Sequence, residues 1–211
     1  MKEVSRSVSS SRTDTARTAV VDQPALEAWG RAVGEAVATG EIDPPLTLVL
    51  RGPLGAGKSV LARAIARGAG VTGPMPSPTY NLVFGYEGAR LGNGPVETPL
   101  IVNHLDLYRL EHPDDVWELG WQELGEGRQL VLIEWPERAE ELLPPDRWEA
   151  RLSFLDDDDE EASASLRRLE LRRLGSAPGV PPLPADATAA DAGDAADAGD
   201  AADAGDAGDA P

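Results

Sequence analysis

Apolar positions along this chain follow two patterns that alternate. Leu26, Trp29, Val33 and Val37 recur at the spacing of a helix that buries one face. Asp22 precedes them as an N-cap, Pro24 sits in the first turn, and Gly40 with Pro44-Pro45 closes the segment. Leu46–Leu50 is then a short unbroken apolar run, the mark of a strand covered on both faces. A second helix is predicted from Lys58 to about Ala69. Thr79–Tyr86 predicts a strand, and the Gly- and Pro-rich Glu87–Pro99 a loop. Leu100–Leu105 and Leu130–Ile133 are two more buried-strand runs, with a short helix over Pro113–Leu119 between them. Trp148–Leu155 and Ser165–Leu174 alternate apolar with charged residues and predict an antiparallel pair. The whole predicts an α/β layer fold with a mostly parallel central sheet and a C-terminal antiparallel strand pair.

The ends do not share this pattern. Residues 1–18, rich in Ser, Arg and Thr, predict a disordered lead, and 19–174 the folded domain. Residues 175–211 begin Pro-rich and continue as a DAGDAA-type repeat from Asp191, Asp197 and Asp203. Ala, Gly and Asp bury too little apolar surface to offset chain ordering, so this tail is expected to be disordered. The six carboxylates of Asp156–Glu161 lack the spacing and glycine of a calcium loop and predict a solvated hairpin tip.

Charge narrows the function. The chain carries 19 basic and 37 acidic residues, a formal net charge of −18. Eight of the acids lie in residues 176–211, and without them 29 acids still face 19 bases. Gripping nucleic acid through its phosphates needs clustered Lys and Arg, so direct binding is not expected. With no cysteine, disulfide scaffolds, thiol catalysis and Cys-ligated metal sites are excluded. His104 and His112 are the only imidazoles. Neither a signal peptide nor a membrane span is legible, so a cytoplasmic location is expected.

The chemistry is concentrated in Gly52-Pro53-Leu54-Gly55-Ala56-Gly57-Lys58-Ser59, a full G-x-x-x-x-G-K-[ST] phosphate loop between a buried strand and a helix. Glycines let the chain turn so that backbone N–H groups point at phosphate oxygens, and the helix start adds its positive dipole end. Gly52, Leu54, Gly55, Ala56, Gly57, Lys58, Ser59 and Val60 are thus the expected nucleotide contacts. Lys58 reaches the β- and γ-phosphates, and the Ser59 hydroxyl is placed for Mg²⁺. Such a site also needs an acid at the end of a neighbouring strand. Glu134 ends Leu130–Ile133, Asp106 ends Leu100–Leu105, and sequence does not choose between them as metal ligand. Trp135 is a candidate to stack on the base or close the pocket. No guanine-reading N-K-x-D or T-K-x-D motif occurs, which argues against a GTPase. Arg63, Arg67 and Arg109 keep a small-molecule kinase open as an alternative, and a nucleotide-dependent binding module without hydrolysis is another.

Four segments together resemble the TsaE family of bacterial tRNA threonylcarbamoyladenosine synthesis. They are G-P-L-G-A-G-K-S at Gly52–Ser59, S-P-T-Y-x-L-V at Ser77–Val83, H-x-D-L-Y-R-L at His104–Leu110 and L-I-E-W-P-E at Leu132–Glu137. The resemblance covers about Val20–Leu174. It implies a three-layer P-loop NTPase fold and ATP with Mg²⁺ at Lys58 and Ser59. It also implies metal and hydrolysis roles for Asp106 and Glu134, and a place for Thr79 in a switch-like segment near the γ-phosphate. It further implies weak ATP hydrolysis by the protein alone and action on a TsaD–TsaB complex that modifies adenosine 37 of tRNA. tRNA would be met through those partners. Pro53 stands where the family usually has Asp, and Ser59 where Thr is commoner.

Overall fold

The computed structural model describes residues 16–76, 82–91, 98–155 and 164–186. They form one seven-stranded sheet between two helices and a set of short turns. The strands are β1 (Arg17–Val21), β2 (Leu46–Arg51), β3 (Val83–Leu91), β4 (Thr98–Asp106), β5 (Gln129–Glu134), β6 (Arg147–Phe154) and β7 (Arg167–Leu174), in the spatial order β1-β7-β6-β2-β5-β4-β3. The central four, β6-β2-β5-β4, run parallel, and antiparallel partners flank them on both sides.

Helix α1 (Gln23–Thr39) starts where the Asp22 carboxylate accepts the Ala25 N–H at 2.7 Å and stops at Gly40 in the left-handed region. Helix α2 (Lys58–Gly68) packs along it. Both cover the sheet face presented by Leu46, Leu48 and Leu50 of β2, Leu130 and Leu132 of β5, and Leu100 and Val102 of β4. Val49, Val131, Ile133 and Leu105 point the other way into a second core. That core is closed by 3-10 turns over Leu107–Arg109, Pro113–Leu119, Trp121–Glu123, Pro136–Arg138 and Glu140–Leu142. The short helix expected at Pro113–Leu119 is one of these turns. Period-two alternation then decides which strand-end residues meet α2. Glu134 continues the Leu130–Leu132 face, and His104 and Asp106 continue the Leu100–Val102 face.

Three expectations need correction. First, the edge strand β1 begins at Arg17, inside the expected disordered lead. It has only two buried positions, Ala19 and Val21, too few to show a period. Second, much of the expected Glu87–Pro99 loop is strand, since β3 runs to Leu91 and β4 starts at Thr98. The glycine that suggested a loop serves a close approach: a Cβ on Gly88 would lie 2.5 Å from the Ala69 carbonyl oxygen. The Ala89 N–H donates to that same carbonyl at 2.7 Å. Third, the Pro-rich start of the tail lies on the domain. The indoles of Trp148 and Trp29 donate to the carbonyls of Pro178 (2.8 Å) and Pro182 (3.0 Å), and Asp186 Oδ1 accepts the Val20 N–H at 2.8 Å. Ala177 is buried, with Val180 and Leu183 packed against the helix-side core. Prolines suit such a strap because they are preordered and lack an N–H to satisfy. The lead before residue 16, the strand start at Thr79, the Asp156–Glu161 tip and the DAGDAA repeat lie outside the described residues. Among the described residues, no helix is long and apolar enough to cross a membrane.

Candidate functional site

The loop Gly52–Gly57 connects the C-terminal end of β2 to the first turn of α2 and passes close to β6. Gly52 has φ 139°, and any Cβ there would collide with the Leu152 carbonyl oxygen. Gly57, with φ 102°, caps α2, and its own conformation likewise favours glycine. The turn brings two adjacent residues, Lys58 and Ser59, under the ends of β4 and β5.

Lys58 is 4% exposed and folds back on its own loop. Its ammonium donates to the carbonyls of Gly52 (2.8 Å) and Pro53 (2.9 Å). The Trp135 ring lies over the same nitrogen, 3.9 Å from ring centroid to Nζ. Burial lowers the lysine pKa below its ordinary value, against the opposing pull of Glu134, Glu137 and Asp106. Trp135 takes up a left-handed backbone conformation, φ 56°, immediately after β5, and its ring packs against Tyr108 with centroids 4.9 Å apart and planes tilted by 50°.

The Ser59 hydroxyl donates to Glu134 Oε2 at 2.8 Å. The other carboxylate oxygen, Oε1, meets His104 Nε2 at 2.9 Å, with both side chains almost wholly buried. Asp106, paired across the parallel strands with Glu134, is also buried and accepts the Tyr108 N–H at 3.1 Å. A cavity of about 320 Å³ is lined by Leu54, Gly55, Gly57, Lys58, Ser59, Val60, Asp106, Tyr108, Glu134 and Trp135. A larger recess of about 690 Å³ opens on the other side of Gly55, Ala56 and Gly57, walled by the start of α1 (Asp22, Gln23, Glu27, Arg31) and by Ser165 and Arg167 of the β7 end.

Most residues singled out from sequence therefore line one cavity. Gly52 contributes a carbonyl beside it, and Ala56 faces the larger recess. Thr79 lies outside the described residues. Arg67 is committed elsewhere, donating to the Val71 and Gly73 carbonyls beyond α2. Sequence reading passed over His104 and Tyr108 as site residues. For His104 a signal was available: on a strand, the residue two before Asp106 shares its face, whereas Tyr108 lies in the turn beyond β4. The α1 wall of the larger recess carried no such signal, because only tertiary packing brings it to the loop. The donors around Ser59 are a hydroxyl and carboxylates, hard oxygen ligands of the kind Mg²⁺ takes alongside phosphate oxygens and water. Among the described residues, no group of three or more His, Asp or Glu is set to hold a metal ion by itself.

Comparison with known proteins agrees with the motif set. Residues 20–164 match the family model described as threonylcarbamoyl adenosine biosynthesis protein TsaE. A protein of Treponema pallidum named tRNA threonylcarbamoyladenosine biosynthesis protein TsaE is 34% identical over 139 residues, covering 66% of this chain and 84% of the relative. A Rickettsia bellii protein of the same name is 38% identical over 119 residues, covering 56% and 75%. The crystal structure of YdiB from Bacillus subtilis shares the fold, with a TM-score of 0.55 at 23% identity over 78% of this chain and 90% of that one. With the family model spanning most of the folded residues, the chain belongs to the TsaE family.

Proposed function

We propose that this chain is an ATPase of tRNA threonylcarbamoyladenosine formation, built on a P-loop NTPase fold, that binds ATP with Mg²⁺ and works on a TsaD–TsaB complex. One observation carries the reading: Lys58 and Ser59, adjacent at the start of α2, sit on the loop carbonyls and on Glu134 respectively. A cation held on the loop carbonyls thus stands beside a hydroxyl that is one hydrogen bond from a strand-end acid. The names of the relatives supply the biological process.

Nucleotide binding would draw Lys58 from the Gly52 and Pro53 carbonyls onto phosphate oxygens, exchanging neutral partners for charged ones. Trp135 and Tyr108 would close the phosphate end, and the recess beside α1 would take the nucleoside. Mg²⁺, when bound, supplies charge neutralisation at the phosphates, with Ser59, Glu134 and Asp106 as the residues that would hold it. Glu134 and Asp106 would orient donors at the γ-phosphate, and Lys58 would stabilise charge that grows during in-line displacement. The acidic surface fits tRNA being met through partners.

The test is ATP titration calorimetry on the protein, then phosphate release alone and with purified TsaB–TsaD. ATP binding and partner-stimulated free phosphate are expected. A phosphorylated small-molecule acceptor would make the protein a kinase, and binding without hydrolysis beside the partners would make it a binding module.

A further inference from the structure

Resting on the ATPase reading, we infer that His104 is a positioning residue that holds Glu134 in place when Ser59 lets go of it. The carboxylate of Glu134 has a separate partner for each oxygen: Ser59 on Oε2 and His104 on Oε1. These partners are not equivalent. Ser59 is the loop hydroxyl that would turn towards the metal, so its bond to Glu134 is the exchangeable one. The His104 bond is made from within β4 and survives that exchange.

The buried setting gives this bond its weight. His104 and Glu134 are each 1% exposed, so a carboxylate left without a donor there cannot turn to water. Because an ionised carboxylate only accepts, Nε2 carries the ring proton. The second ring nitrogen, Nδ1, is buried with no hydrogen-bond partner among the described residues. Among the described residues the imidazole therefore links Glu134 to no further polar group. A leucine would fill the position without a buried nitrogen, so among the described residues the bond to Glu134 is what the polar ring adds. Strand register fixes the reach: His104 pairs with Leu132 and Asp106 with Glu134, placing the imidazole one diagonal step from the carboxylate on the α2 face.

The experiment uses the full chain and four variants: His104→Gln, His104→Leu, Glu134→Gln and the double variant His104→Leu/Glu134→Gln. Each is measured for melting temperature, for ATP affinity with and without Mg²⁺ by calorimetry, and for phosphate release with TsaB–TsaD. His104→Leu is expected to keep Mg²⁺-free ATP affinity, to need about tenfold more Mg²⁺ and to lower turnover about tenfold or more. His104→Gln, whose amide N–H can take the place of Nε2–H, should recover most of both. On the Glu134→Gln background, His104→Leu should cause no further loss. An equal loss on both backgrounds, or a folded His104→Gln as impaired as His104→Leu, would show a merely structural role and overturn the inference. Should His104→Leu not fold, His104→Gln decides it: wild-type Mg²⁺ requirement and turnover support the inference, and a folded His104→Gln with about tenfold loss in either overturns it. A wild-type protein that binds no ATP overturns the ATPase reading and this inference with it. An active wild type with an unchanged His104→Leu overturns this inference alone.

Discussion

Lys58 makes two hydrogen bonds to its own loop, and on the proposed reading both are exchanged for phosphate contacts when ATP binds. Hydrogen bonds to charged groups are each worth about 1.5–3 kcal/mol. Lys58→Ala should therefore weaken ATP binding by about 100-fold or more, read by calorimetry; near-normal affinity would remove the phosphate-loop assignment. Glu134→Gln keeps the shape of the side chain and removes its charge, so ATP affinity should stay within about threefold while phosphate release falls at least about tenfold. If release beside TsaB–TsaD is unchanged, Asp106 takes over the role. Away from the site, Glu149 accepts hydrogen bonds from Arg147 (2.7 and 3.1 Å) and Arg51 (3.2 Å). Burial alone would raise its pKa, but the two guanidinium groups outweigh burial and set it below the ordinary value. A depressed carboxylate contributes stability above its unfolded pKa of about 4.3 and loses it as pH falls through the folded value. Glu149→Gln should cost about 1–3 kcal/mol at neutral pH. The gap between mutant and wild-type melting curves should start to narrow as pH falls below about 4.3 and keep closing through the depressed folded value, and a constant gap down to acid pH would contradict this.

At the scale of elements, the contact that sets the site is α1 against α2. The helices touch backbone to backbone. A Cβ on Gly34 would collide with the Ile65 carbonyl oxygen, and one on Gly68 with that of Arg31. The start of α2 presents Lys58 and Ser59, and the start of α1 walls the larger recess. Gly34→Ala should therefore push the two walls apart and destabilise the fold by about 1–3 kcal/mol, despite the better helix propensity of alanine. Denaturant unfolding measures it, and a neutral or stabilised variant would show the helices free to separate. The helices themselves are legible in the apolar spacing of α1 and in the Asp22 and Gly40 caps. Their close crossing is not, because a glycine that admits another backbone looks the same in sequence as one that merely weakens a helix.

For the whole molecule, the composition of residues 175–211 predicts a free tail whose removal is harmless, and the strap at Ser176–Asp186 changes that expectation. A chain ending at Gly175 leaves the indole N–H of both Trp29 and Trp148 without its carbonyl and uncovers the core beneath Ala177, Val180 and Leu183. Each lost hydrogen bond is worth about 0.5–1.5 kcal/mol net and the uncovered apolar surface adds to it, so the loss should be of the order of 3–5 kcal/mol, or about 10 °C in Tm. A chain ending at Asp186 should melt like the full protein, since every strap contact is kept. Equal melting of the two truncations would show that the strap adds nothing. The strap also ties the two ends of the domain together, with Arg17 donating to the Val180 carbonyl at 3.1 Å beside the β1–β7 pairing.

By itself the sequence determined whatever is encoded within a few residues. That includes the phosphate loop with its flanking strand and helix, the buried runs of β2, β4 and β5, the two acids that end them, and the motif set that places the chain in its family. These are local because loop geometry, helix caps and strand alternation depend on neighbours along the chain. Tertiary structure decided what depends on residues far apart in it. It placed β5 between β2 and β4, so that Glu134 faces both Ser59 and His104, and it laid Trp135 over Lys58. It also drew β1 and the proline-rich strap into the domain although neither carries a pattern of its own. The physical reason is the same in each case. A short edge strand or a strap of small residues and prolines has too little apolar surface to order alone, and becomes ordered only where an already folded neighbour supplies the core and the hydrogen-bond partners.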